Sequence, residues 1–170
     1  EAMAHAQVGD DVWEEDPTVQ RLEALAARRT GKEAGLFVAS GTQGNLVSIL
    51  AQTEPGQEIL LDADCHVFGS EVGGAARLGG LQTRALVTER GFLTPAQVRD
   101  SVRPSNIHLP VTGLVCIENT HNRHGGTCCT PEEIAALATA AHAAGVPVHL
   151  DGARIFNAAV KLGVPVAQLC

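Results

Sequence analysis

The residues with the clearest chemical potential in this sequence stand directly behind short apolar runs. Val148-His149-Leu150 leads into Asp151-Gly152-Ala153-Arg154-Ile155-Phe156-Asn157, which sets a carboxylate at the tip of a strand-like run and a guanidinium three residues on. A buried charge at that position needs a partner. Two partners are open: Arg154 in a structural ion pair, or a protonated ring nitrogen of a cofactor, which an acidic residue holds in its electron-sink form in pyridoxal-phosphate chemistry. Behind Leu36 to Ala39 comes Ser40-Gly41-Thr42-Gln43-Gly44-Asn45. Two glycines let backbone amides approach a ligand, and a helix amino end carries about half a positive charge, so the segment suits a phosphate. Its spacing matches neither the dinucleotide fingerprint nor the P-loop, and an ordinary capped turn has the same composition. Behind Glu58 to Leu61 comes Asp62-Ala63-Asp64-Cys65-His66, whose imidazole either stacks on a planar ligand or is a solvated bystander. A polar cluster, Glu118-Asn119-Thr120-His121-Asn122-Arg123-His124-Gly125-Gly126, closes the run that starts at Leu114. Together with Cys128 and Cys129 it lacks the spaced cysteine pair and second ligand pair of a zinc site, so no metal is expected.

These positions need a scaffold that gathers strand ends. Asp16-Pro17 reads as a side-chain cap and a pre-set first residue, and Leu22, Leu25 and Ala26 then recur on one face until Gly31, which predicts an amphipathic helix. From Leu36 five apolar runs (Leu36 to Ala39, Glu58 to Leu61, Thr83 to Val87, Leu114 to Glu118, Val146 to Leu150) alternate with helical segments. The helices are expected over Gly44 to Gln52, Val67 to Leu78, Pro95 to Val102 and Pro131 to Ala144. Thr130 and Glu133 stand in capping-box spacing before the last of these, and Gly145 stops it. Such alternation predicts an α/β fold with a mostly parallel central sheet covered on both faces. In that fold ligands sit beyond the carboxyl ends of the strands, so Asp151 is expected close to the turn Ser40 to Gly44.

The chain has 170 residues, 45% of them hydrophobic, enough for one domain with a real core. Its mean hydropathy of +0.08 and strand-sized apolar runs give no membrane span. A net charge of −7 with 12 scattered Lys and Arg residues gives no nucleic-acid footprint, so a small polar metabolite is the expected partner. Five irregularly spaced cysteines read as reduced thiols of a cytoplasmic protein. The sequence opens on Glu1 with no secretory pattern behind it, and a preceding segment is expected.

Six blocks in order resemble the low-specificity threonine aldolases, fold-type-I lyases that depend on pyridoxal phosphate. The first block is Gly9-Asp10-Asp11-Val12-Trp13 with Asp16-Pro17-Thr18-Val19, and the second runs from Ser40 to Asn45. Ala63-Asp64-Cys65-His66, Asn106-Ile107-His108 and Glu118 to Asn122 follow, and His149 to Asn157 closes the series. The resemblance implies a three-layer large domain over residues 1–170 and a small C-terminal domain outside them. It implies that Gly41 and Thr42 hold the cofactor phosphate, that His66 stacks on the ring, and that Asp151 pairs with the ring nitrogen. Arg154 would contact the cofactor or the substrate carboxylate, and His108 would lie near the substrate hydroxyl, while His121 stays structural. The implied reaction is cleavage of threonine or allo-threonine to glycine and acetaldehyde, in threonine catabolism and glycine formation, by a homodimer or homotetramer.

The family's cofactor-bearing lysine segment is expected beyond Cys170, because Lys32 follows a helix-ending glycine and Lys161 sits on an Ala-rich helix. The chain by itself is therefore expected to be inactive, and a binding or dimerising remnant is the alternative reading. Another fold-type-I lyase, such as one that eliminates at the β-carbon of aromatic amino acids, fits the blocks around His66 and His108 less well.

Overall fold

A computed structural model describes residues 1–170. Asp16 caps the first helix, α1 (Pro17–Thr30), by accepting from the Thr18 and Val19 amides, and Gly31 ends it in the left-handed conformation at φ 71°. Ser40 caps α2 (Gly41–Leu50) through the Gln43 amide. There follow β1 (Glu58–Asp62), α3 (His66–Gly69), α4 (Gly74–Gly79), β2 (Gln82–Leu86), α5 (Pro95–Ser101), β3 (Thr112–Glu118), α6 (Pro131–His142), β4 (Val148–Asp151) and α7 (Ile155–Leu162). The expected capping box is present at Thr130 and Glu133, and a second one opens α5 at Thr94 and Gln97.

The four strands form one all-parallel sheet in the order β2-β1-β3-β4. β1 and β3 lie in the middle and are buried along their whole length, as strands covered on both faces must be. Their alternate residues feed two cores. Ile59, Leu61, Leu114 and Cys116 pack under α2, α3 and α4, and Leu60, Val115 and Ile117 pack on the other side against α5 and α6. The result is the three-layer α/β arrangement.

Two expectations are corrected. Leu36 to Ala39 is not a strand: its amides go to side chains, Phe37 to Glu23 (2.6 Å) and Ala39 to Gln43 (2.9 Å), and it runs as an extended connector from α1 to α2. The helix expected over Val67 to Leu78 is broken into α3 and α4, because Val72 and Gly73 adopt positive φ between them. That break carries Glu71, whose side chain reaches the site described next.

Candidate functional site

β1, β3 and β4 each end in an acid, Asp62, Glu118 and Asp151, and all three are buried. The β1–β3 pair is also where the strand order reverses, since β1 connects onward to β2 and β3 to β4, so the crevice beyond these carboxyl ends is the expected ligand position. Asp151 is held by two donors: the Ala153 amide on Oδ1 (3.1 Å) and the Asn45 side-chain amide on Oδ2 (2.9 Å). Its side-chain partner is thus Asn45, and Arg154 pairs with Glu118 instead, so the Asp151–Arg154 ion pair is not formed.

Asn45 is the hub. Its Nδ2 donates to Asp151 and, at 2.7 Å, to Glu71 Oε1, and its Oδ1 lies 3.0 Å from His149 Nε2. Two carboxylate acceptors fix the amide orientation, so His149 must donate from Nε2. Burial pushes the His149 pKa below its ordinary value, which the Asp151 and Glu71 carboxylates only partly offset, and keeps the ring neutral.

His66 opens α3. Its amide donates to Glu118 Oε2 (2.7 Å) and its Nδ1 contacts Glu71 Oε1 (2.9 Å), leaving the side chain 40% exposed. A ring fixed at one edge and open on its face is set up for stacking. Nδ1 and the carboxylates of Glu71 and Asp151 offer ligand atoms within 4.8 Å of one another, an electronegative pocket matched to a protonated ring nitrogen. Arg154 sits apart from that pocket: Nη1 donates to Asn122 Oδ1 (2.7 Å), and Nη2 approaches Glu118 Oε1 and the Thr120 carbonyl, each at 3.4 Å. Half-exposed, it can turn one edge to an incoming carboxylate.

The helix begins at Gly41, three residues earlier than its expected start, so the Gly41 and Thr42 amides are the unpaired donors of its first turn. A Cβ on Gly41 would meet nothing within 4 Å, so the chain leaves that approach open. Asn45 follows one turn on, about 6 Å along the axis. One short helix therefore links two free backbone amides at its start to the buried carboxylate of Asp151 through Asn45. A phosphate-bearing aromatic cofactor with a basic ring nitrogen fits this donor set.

The remaining expected site residue lies elsewhere. His108 stands in the exposed loop that enters β3 at its amino end, so the length of the strand, about 20 Å, separates it from Glu118 and Asp151. Lys32 donates to the Cys170 carbonyl, and Lys161 is exposed on α7. Sequence reading did not single out Asn45, Glu71 or His149. Glu118 had a signal, since it ends an apolar run just as Asp151 does. A cleft of about 650 Å³ between β2 and α6, lined by Arg90, Phe92, Gln97 and Glu133, contains none of these groups.

Parallel strands with a polar pocket at their carboxyl ends define an α/β domain with a candidate ligand site, and comparison with known proteins gives its kin. The family model for beta-eliminating lyases matches residues 1–170. Low-specificity L-threonine aldolase 1 of Arabidopsis thaliana is 41% identical over 99% of this chain and 48% of its own length. The low specificity L-threonine aldolase of Escherichia coli strain K12 is 39% identical over 99% of this chain and 50% of its own length. Threonine aldolase of Leishmania major superposes with a TM-score of 0.81 at 22% identity, covering 91% of this chain and 46% of that one, and so shares the fold. The chain belongs to the beta-eliminating lyase family. It spans about half the length of the curated relatives it matches.

Proposed function

We propose that these residues form the cofactor-binding part of a threonine aldolase that works with pyridoxal phosphate. The observation that carries the proposal is Asn45, which ties Asp151 to α2 one turn from the free amides of Gly41 and Thr42. In this reading Gly41 and Thr42 take the phosphate, His66 covers one face of the ring, and Asp151 keeps the ring nitrogen protonated. Arg154 takes the substrate carboxylate. Bound pyridoxal phosphate supplies the electron sink for cleavage of a β-hydroxy amino acid to glycine and an aldehyde. His108 lies at the far end of the sheet in its own chain; in this reading it serves the substrate hydroxyl of a second copy, so the working unit is taken to be at least a homodimer. Neither Lys32 nor Lys161 faces the pocket, so the amine that attaches the cofactor comes from outside these 170 residues. The family kinship and the free thiols support a cytoplasmic setting, and no helix is long and apolar enough to cross a membrane.

The experiment has two arms. The 170-residue chain titrated with pyridoxal phosphate, reduced with borohydride and peptide-mapped is expected to bind through the phosphate yet carry no pyridoxyl adduct; an adduct on Lys161 would refute the assignment. In a protein that joins this chain to the remaining half its relatives possess, Asp151→Asn is expected to lower glycine release from L-allo-threonine by about 100-fold or more while cofactor is retained. Near-normal turnover would remove Asp151 from the mechanism.

A further inference from the structure

The crevice beside the Asp151 pocket gathers a second set of groups. Asp62 ends β1, and its Oδ1 lies 3.1 Å from His121 Nε2 and 3.9 Å from His124 Nε2. Two donors bound about 2.1 Å from one metal ion and about 90 to 110° apart are about 3.0 to 3.4 Å from each other, so the first distance matches shared ligation and the second needs only a small ring rotation. His121 is fully buried, and neither ring nitrogen makes a hydrogen bond; Asp62 Oδ1 is close to Nε2 but off the N–H axis. A buried imidazole without a partner is costly, and a cation shared with Asp62 would resolve Nε2.

The surrounding chain holds these groups in place. Asp62 Oδ1 accepts from the Asp64 amide (2.9 Å) and Oδ2 from the Thr88 hydroxyl (2.7 Å), which in turn accepts from the Gly91 amide (2.8 Å). Gly91, at φ +87°, lies against the His121 ring so closely that a Cβ there would be 2.4 Å from His121 Cγ. The segment after His121 folds back, pairing His121 with Thr127, and sets the His124 ring edge-on to His121 with centroids 4.7 Å apart. Asp64 Oδ2, 3.5 Å from His124 Nε2 and exposed, stands ready as a fourth donor.

The geometry points to a divalent transition-metal site of the zinc class made by Asp62, His121 and His124, with Asp64 or water completing it. Two imidazoles and a carboxylate suit zinc or cobalt rather than calcium or magnesium, which prefer all-oxygen shells. The residues come from β1 and the loop behind β3, so no contiguous motif announces them in the sequence. Bound there, the ion would pin that loop to β1 beside Glu118, which holds both the His66 amide and Arg154.

The test uses the untagged 170-residue chain, stripped with a chelator, without pyridoxal phosphate. Titration with Co²⁺, followed by visible absorption, and with Zn²⁺, by calorimetry, is expected to give one ion per chain and a raised melting temperature. His124→Gln, a change at the partly exposed ligand that leaves the core intact, is expected to weaken Zn²⁺ binding by about 100-fold or more, beyond what loss of an outer partner costs. His142→Gln, at the exposed end of α6, is expected to bind as the parent does. Asp62→Asn, if it folds by circular dichroism, should behave as His124→Gln does. Unchanged affinity in His124→Gln, or no saturable binding to the folded parent chain, would overturn the site and leave Asp62 and His121 as a metal-free buried contact.

Discussion

Asn45 does at the scale of one residue what the pocket needs, since a single amide joins Glu71, Asp151 and His149 while carrying no charge of its own. A lysine there would neutralise one carboxylate and leave less acidity for a bound ring. The arrangement depends on His149 staying a neutral donor, and that sets a pH dependence. Burial lowers its pKa in the folded state from the ordinary 6.5, so the unfolded chain takes up the proton first as pH falls. The stability tied to His149 is complete above about pH 6.5 and is lost as pH drops from there through the lowered folded value. His149→Gln keeps a donor toward Asn45 without titrating, so urea unfolding at pH 7.5 and 5.5 should show a smaller loss in the variant than in the parent chain; equal losses would refute the assignment. Asp151 stood out in the sequence because it follows an apolar run directly, and Gly41 and His66 because they lie in the short polar segments behind such runs. Asn45 and Glu71 were not, because a polar residue one turn into a helix or inside a helix break gains meaning only from partners on other segments.

At the scale of elements, local signals predicted best where capping chemistry and periodicity agreed. α6 is the clearest case, with Thr130, Pro131 and Glu133 announcing its start and Gly145, at φ 72°, closing the turn behind it. Leu36 to Ala39 shows the limit: an apolar run has the composition of a strand, but whether a sheet edge is free to receive it is a tertiary fact. Glu133 accepts from the Thr130 amide (2.9 Å) and from Arg90 Nη1 (2.5 Å). The Thr130 amide, followed by Arg90, holds its carboxyl below the ordinary 4.5. A depressed carboxylate contributes stability above that ordinary value and loses it as pH falls through the lowered folded one. Glu133→Gln keeps the capping hydrogen bond and removes the charge. Because the pair is more than a third exposed and screened by solvent, the expected cost at pH 7 is only about 0.5 kcal/mol, shrinking in high salt. Chemical unfolding of parent and variant should converge below about pH 4, and a gap that persists there would mean that packing rather than charge is responsible.

The whole molecule exposes more surface than a compact monomer of its mass should. Its accessible area is 10100 Å², against about 7,900 Å² expected for a 17.7 kDa folded monomer. The excess is larger than the roughly 800 Å² that each partner buries in a standard interface. Much of it is apolar: Trp13, Val72, Ile107 and Val160 are all more than 70% exposed. Composition showed that there was enough apolar material for a core, but it could not show which of that material the fold would leave outside. On α7, Phe156 and Val160 are exposed one turn apart, while Ile155, Ala158 and Ala159 face inward, so this short helix is apolar on both sides. A helix with two apolar faces is stable in water only when both are covered. The chain alone is therefore expected to self-associate at micromolar concentration, with a sedimentation-equilibrium mass at least twice 17.7 kDa. Replacing Phe156 and Val160 together by Glu should shift that equilibrium toward monomer, because two carboxylates on the outer face of α7 disfavour a dry contact without entering the core beneath. A parent chain that sediments as a single monomer and binds no hydrophobic dye would show that the exposed face of α7 tolerates water, and would remove it as an interaction surface.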